Sequence, residues 1–223
     1  MEEIKNILDN LQTLEGKVHF IRRLPKNYKE KSLPYIKELV KELAKRRAKN
    51  HSNSDTHYEA GRIFEELDLL DEAYKEYKAY GEPYILANIA KKLGKFNEAK
   101  NYASNYIMRE INRRKEGERK GYIFGERNYE FYAKLAREAE EMDLKEMATT
   151  LWNNVAEEAG KIGPEFALRL VEDRPITDNV RKKLYEEATK KAEERGDFLR
   201  AAELCRKAGL ADRAQLYEKI LNF

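Results

Sequence analysis

Cysteine occurs once in this 223-residue chain, at Cys205, so no internal disulfide framework exists and a reducing compartment is expected. Glutamine occurs only as Gln12 and Gln215, and methionine four times. No apolar run approaches the roughly 18 residues that cross a bilayer. The opening stretch MEEIKNILDNLQTLEGK is acidic and amphipathic, unlike a secretory signal. A cytoplasmic protein without a membrane partner is the expectation. Strand signals are nearly absent, with no alternating Val/Ile/Thr runs and no Asn-Gly or Asp-Gly turns.

Chemical motifs are missing too. His19, His51 and His57 have no partner at metal-ligand spacing, and neither HExxH nor CxxC occurs. The glycines of GERKGYIFG fit neither a Walker nor a Rossmann loop. Glu138, Glu140, Glu141 and Asp143 read as a solvated helix face rather than a catalytic pair. His57 reads as an interhelical packing residue and Cys205 as core. The expectation is therefore no enzyme, with no catalytic residue, cofactor or metal.

Charge and helical period are what the sequence has in abundance. Charged residues make up 38% of the chain, against roughly 25% in ordinary globular proteins. Together with the scarcity of thermolabile residues, this suggests a thermophile. Ile4, Ile7, Leu8, Leu11 and Leu14 form one apolar stripe, and Ile36, Leu39, Val40 and Leu43 another. Pro34, Pro83 and Pro164 fall where helices should begin, while Pro25 and Pro175 fall in breaks. Gly94, Gly196 and Gly209 fall where helices should end. The pattern predicts about a dozen short-turned helices.

One phrase recurs. Five residues after Asp68, Gly94, Asp143, Gly196 and Gly209 stand Ala73, Ala99, Ala148, Ala201 and Ala214. Twelve residues before the first four of these alanines stand Gly61, Ala87, Ala136 and Thr189. Small residues at such positions let two helices approach closely. The stretches HYEAGRIFEELDLLDEAYKEYKAY (57–80) and PYILANIAKKLGKFNEAKNYASNYI (83–107) resemble tetratricopeptide repeats. Residues 132–155 and 185–208 look similar. The spacing of the alanines is irregular, unlike the family's period of about 34. The resemblance implies an all-α fold of antiparallel helical hairpins stacked as a tetratricopeptide-like superhelix. Residues 1–56 would form an N-terminal helical cap or extension and 57–223 the repeat region, as one continuous domain. Ala211–Leu221 would cover the last hairpin. Two insertions interrupt the pattern, at 111–129 and at 161–179, the second long enough for another short helix. In the first, Tyr122-Ile123-Phe124 is either a plug over a helix pair or an exposed hook.

The resemblance also implies a binding scaffold for a protein or peptide, using a concave face. The first helices of the hairpins would supply it, through Arg62, Tyr84, Asn88, Lys91 and Lys92. The alternative is nucleic-acid binding. Residues 17–50 carry twelve Lys/Arg against three Glu, among them Arg22, Arg23, Lys26, Lys29, Lys45, Arg46, Arg47 and Lys49. A second cluster holds Arg113, Arg114, Lys115, Arg119 and Lys120. Phosphates require such clusters on one face, whereas a charge-rich protein also uses them in solvated ion pairs. Self-association into a homo-oligomer stays open.

Overall fold

The computed structural model describes residues 6–8, 10–48 and 53–221, and gives the backbone but not the side chain of Leu14. Ile4, Lys49 and His51 lie outside the described residues. Among the described residues there is helix and no strand, and each helix packs chiefly on its neighbours in sequence. The elements are α1 (Leu14–Arg22), α2 (Lys26–Lys31), α3 (Leu33–Arg47), α4 (Asn53–Glu66), α5 (Leu70–Tyr80), α6 (Pro83–Lys92) and α7 (Phe96–Arg119). There follow α8 (Asn128–Glu141), α9 (Lys145–Gly160), α10 (Pro164–Val171), α11 (Asp178–Glu194), α12 (Phe198–Lys207) and α13 (Ala211–Leu221). Two compact units result, Met1–Tyr106 and Ile107–Phe223.

The recurring phrase is a helix stop followed by a helix start. Asp68, Gly94, Asp143, Gly196 and Gly209 all have φ between 54° and 73°. At each, the amide of the next residue reaches back to a carbonyl in the last turn. The five bonds are Leu69 to Phe64, Lys95 to Ala90, Leu144 to Ala139, Asp197 to Ala192 and Leu210 to Cys205, over 2.8–2.9 Å. This six-to-one bond is the Schellman stop, which satisfies orphan carbonyls and needs a left-handed residue. The following helix begins two residues after the left-handed one in every case. Such short connections fold consecutive helices into hairpins. The alanines then meet the facing helix: Ala73, Ala99, Ala148, Ala201 and Ala214 are all at most 2% exposed. Pro34, Pro83 and Pro164 occupy the first turns of α3, α6 and α10, where a missing N–H costs nothing.

In the first unit one apolar core extends from Leu8 to Ala99, with Ile21, Ile36, Leu43, Ile63 and Leu67 fully enclosed. Full burial of each such side chain contributes about 1.5–3 kcal/mol. The N-terminal stripe is only partly apolar-facing: Leu8 is buried, but Ile7 is exposed. Lys29, expected among the surface cations, is buried, and its Nζ donates to the Leu67 carbonyl at 2.9 Å, just past the end of α4. His57 does sit between helices, as expected, but at the surface rather than in apolar packing. Its side chain is 41% exposed, and its Nδ1 lies 2.6 Å from Glu76 Oε2, so it joins α4 to α5 by a polar contact.

In the second unit Trp152, Leu135, Leu151 and Leu204 form the interior. Cys205 is buried against Thr189, which returns its own hydroxyl to the Tyr185 carbonyl at 2.8 Å. The expected extra helix within 161–179 is α10, and α13 packs on α12 with Phe198 stacked on Tyr217. The expected solvated carboxylate face is half wrong. Glu140 accepts the Trp152 indole N–H at 2.8 Å, and Glu138 has a buried Oε2 with no hydrogen-bond partner. Glu141 and Asp143 are exposed. The expected insertion at 111 is not a loop at its start, because α7 continues to Arg119.

Candidate functional site

The groove that the sequence points to forms between α4 and α6. It has a volume of about 660 Å³ and takes in Arg62, Asn88, Lys91 and Lys92. Helical spacing explains the set: 58, 62 and 65 share one face of α4, and 85, 88, 89 and 92 one face of α6. Tyr84 is the exception. It is exposed and lays its ring on Tyr106 at 5.0 Å, outside the groove lining.

The floor is apolar. Ile89 is 2% exposed, and Tyr58 leans on Tyr80 and Tyr77 at ring-centre distances of 5.2 and 6.3 Å. The rim is charged and already organised. Glu65 accepts the Tyr77 hydroxyl at 2.9 Å and the Lys92 ammonium. Burial alone would raise the Glu65 carboxyl, but the hydrogen bonds from Lys92 and Tyr77 and the charges of Lys92 and Arg62 outweigh it. Glu65 is therefore held below the ordinary carboxylate range. The Tyr77 phenol is pushed up, first by burial and then by its bond to Glu65. Arg62 lies 6.0 Å from the centre of the Tyr58 ring and pairs with Glu59 at 3.4 Å and Glu66 at 3.9 Å. Asn88 lines the groove and donates to the Tyr84 carbonyl at 3.1 Å, so one amide hydrogen is tied to its own helix.

Tyr58, Glu65, Tyr77, Ile85 and Ile89 complete the lining and were not legible as groove residues. The signal was there for Tyr58, which precedes Arg62 by one turn. Glu65 acquires its place through Tyr77 and Lys92, 12 and 27 residues later in the chain.

The expected anion contacts separate into two kinds. Arg22, Arg23, Lys26, Lys115 and Arg119 are exposed. Arg46, Arg113 and Lys120 are exposed but carry intrahelical carboxylate partners, Glu42 at 2.6 Å, Glu110 at 3.8 Å and Glu116 at 2.5 Å. Arg114 is a correction. It is 7% exposed and donates from Nη2 to the Glu126 carbonyl and to Asn128 Oδ1. Its guanidinium is also 4.1 Å from the Phe124 ring centre. The reason is Gly117: a Cβ there would meet Phe124 Cζ at 2.4 Å, so only glycine lets the Phe124 ring return over α7. The Tyr122-Ile123-Phe124 segment thus divides. Phe124 is seated on α7, whereas Tyr122 and Ile123 project, 64% and 98% exposed.

Among the described residues no group of three or more His, Cys, Asp or Glu is placed to hold a metal, and no helix is long and apolar enough to cross a membrane. No protein-family model and no curated protein matches this chain.

Proposed function

We propose that this chain is a non-enzymatic scaffold of tetratricopeptide-like helical hairpins that binds an extended segment of a partner protein between α4 and α6. The groove supports the reading best: about 660 Å³, with a tyrosine and isoleucine floor and a rim of Arg62, Lys91 and Lys92 facing the single carboxylate of Glu65. An apolar floor takes a side chain, and organised rim groups orient it. The lining itself holds three cations against one carboxylate, and although Lys92 pairs with Glu65 and Arg62 with Glu59 and Glu66, a segment with acidic residues beside an apolar anchor suits this set of groups. The capped, short-turned hairpins favour the scaffold reading, since they hold the two first helices at a fixed spacing without using groove residues.

The test is site-directed photo-crosslinking in cells of the source. A crosslinker replacing Asn88 should yield one dominant protein adduct, and a crosslinker at exposed Lys134 should not. The adduct should vanish when Arg62 and Lys91 are both changed to Glu. An adduct pattern identical at both positions, or untouched by the charge reversal, would overturn the proposal.

A further inference from the structure

On the opposite face of α4 from the groove lies a second cleft, with a volume of about 470 Å³ and walls from α3, α4 and α5. Its size is that of small-molecule sites. α3 presents Lys37, Lys41 and Lys45 there, each one helical step of four from the last. The lower part of the cleft is internally neutralised. Glu72 receives Lys37 at 3.0 Å and Lys75 at 2.9 Å, one on each oxygen, and His57 meets Glu76. Burial pushes the Glu72 carboxyl up, but the hydrogen bonds and charges of those two lysines overcome it and hold it low. Glu42, the carboxylate next along α3, is taken by Arg46.

Lys41 and Lys45 are left with no carboxylate partner among the described residues, whereas Lys37 before them pairs with Glu72 and Arg46 after them with Glu42. Like charges one turn apart on a helix repel. A dianionic group between them removes that repulsion and gains two charge-assisted hydrogen bonds. A phosphate monoester carries this charge and three acceptor oxygens. Asn53 adds a neutral side-chain donor at the same end, and Ala60 and Phe64 line the floor. One turn earlier on α3, Glu38 faces the cleft as an acceptor. It disfavours a second phosphate and suits hydroxyl groups on the remainder of the ligand.

We infer that the α3–α4–α5 cleft binds a small phosphate monoester bearing hydroxyl groups, its phosphate between Lys41 and Lys45 and its hydroxyls toward Glu38. The cleft does not depend on the α4–α6 groove, and the two can fail separately.

Calorimetric titration with ribose 5-phosphate, with ribose and inorganic phosphate as controls, tests it. Ribose 5-phosphate should bind saturably at one site, more tightly than either control. Lys41→Ala with Lys45→Ala should weaken it about tenfold or more, the loss expected for charge-assisted bonds. Glu38→Gln should weaken ribose 5-phosphate and spare inorganic phosphate. Arg23→Ala with Lys26→Ala, exposed cations outside the cleft lining, should change nothing. All three variants replace exposed side chains, and unchanged helical circular dichroism shows that they fold. The inference is overturned by absent saturable binding, by a Lys41/Lys45 variant that binds like the parent, or by an equal loss in the Arg23/Lys26 variant. It is also overturned if a single-stranded oligonucleotide binds through Lys41 and Lys45 while ribose 5-phosphate does not, which would assign those lysines to nucleic acid.

Discussion

The Arg114 guanidinium donates to Asn128 Oδ1 over 2.6 Å, and so ties the second half of α7 to the first residue of α8. The same nitrogen donates to the Glu126 carbonyl at 2.7 Å, and the planar group lies against Phe124. One side chain therefore organises the connection between the two helices. Arg114→Ala leaves both acceptors without their donor and removes the surface on which Phe124 rests. The expected cost is about 2–3 kcal/mol, read as a lower denaturant midpoint. Arg114→Lys should recover only part, because an ammonium lacks the planar fork that serves two acceptors and stacks on a ring. Hydrogen exchange at the Tyr122 amide, which donates to the Gly117 carbonyl at 2.9 Å, should accelerate in both variants.

Gly61 sets the approach of α4 to α5. A Cβ added there would lie 2.5 Å from Tyr77 Cε1 and 2.6 Å from Cδ1. Tyr77 cannot swing aside, being 2% exposed and anchored through its hydroxyl to Glu65. Gly61→Ala gains about 1 kcal/mol in helix propensity but incurs overpacking of about 1–3 kcal/mol. The balance should be a net loss. In a Tyr77→Ala background the ring is gone, and the same Gly61→Ala change should become stabilising. Thermal melts of the four proteins in this cycle decide the matter; a stabilising Gly61→Ala with Tyr77 intact would contradict the packing described.

The repeated phrase made most of this fold legible. Every punctuating residue it picked out, Asp68 and Asp143 included, is a left-handed stop, and every alanine it aligned is buried. Those features are local: a stop, a two-residue link and a small contact residue within one hairpin. What escaped is non-local. Arg114 looks like its neighbours Arg113 and Lys115 until Phe124 folds back over Gly117. Lys29 looks like any basic residue of 17–50 until Leu67 offers it a carbonyl 38 residues later. Of the groove, the α4 and α6 cations were legible from helical spacing, whereas Glu65 and the tyrosine floor depend on which helix comes to lie alongside.

The left-handed stops differ in their side chains, which gives a paired prediction. Asp68 has φ of 58° and Gly94 has 73°. A side chain in that region costs about 1–2 kcal/mol, which glycine avoids. Asp68→Gly should therefore be neutral to stabilising by up to about 1 kcal/mol, once the greater freedom of glycine in the unfolded chain is set against the relief. Gly94→Ala, with no steric neighbour within 4 Å of the added Cβ, should cost about 1 kcal/mol from the backbone alone. Denaturant titration of the two single variants should give shifts of opposite sign or, at least, a loss confined to Gly94→Ala.

Glu138 supplies the pH dependence. Burial raises its carboxyl above the ordinary value, and the charges of Glu141 and Glu110 add to this against the opposing pull of Lys134. Its Oε2 has no hydrogen-bond partner. The folded chain thus holds this proton to higher pH than the unfolded chain does. In the folded state the neutral carboxyl is favoured, so its stability contribution is full at acid pH, below the unfolded value, and is lost as pH rises through the raised folded value. At pH 7 the ionised group is a net cost. Glu138→Gln, which keeps the shape and removes the charge, should raise the melting temperature at pH 7. The advantage over the parent should shrink steadily as pH falls through the raised folded value, and be gone below the ordinary carboxylate range, where the carboxyl is neutral in both folded and unfolded chains. A Glu138→Gln advantage that does not change with pH would mean that the glutamine amide gains a bond of its own, and that the buried charge is not what costs the parent stability.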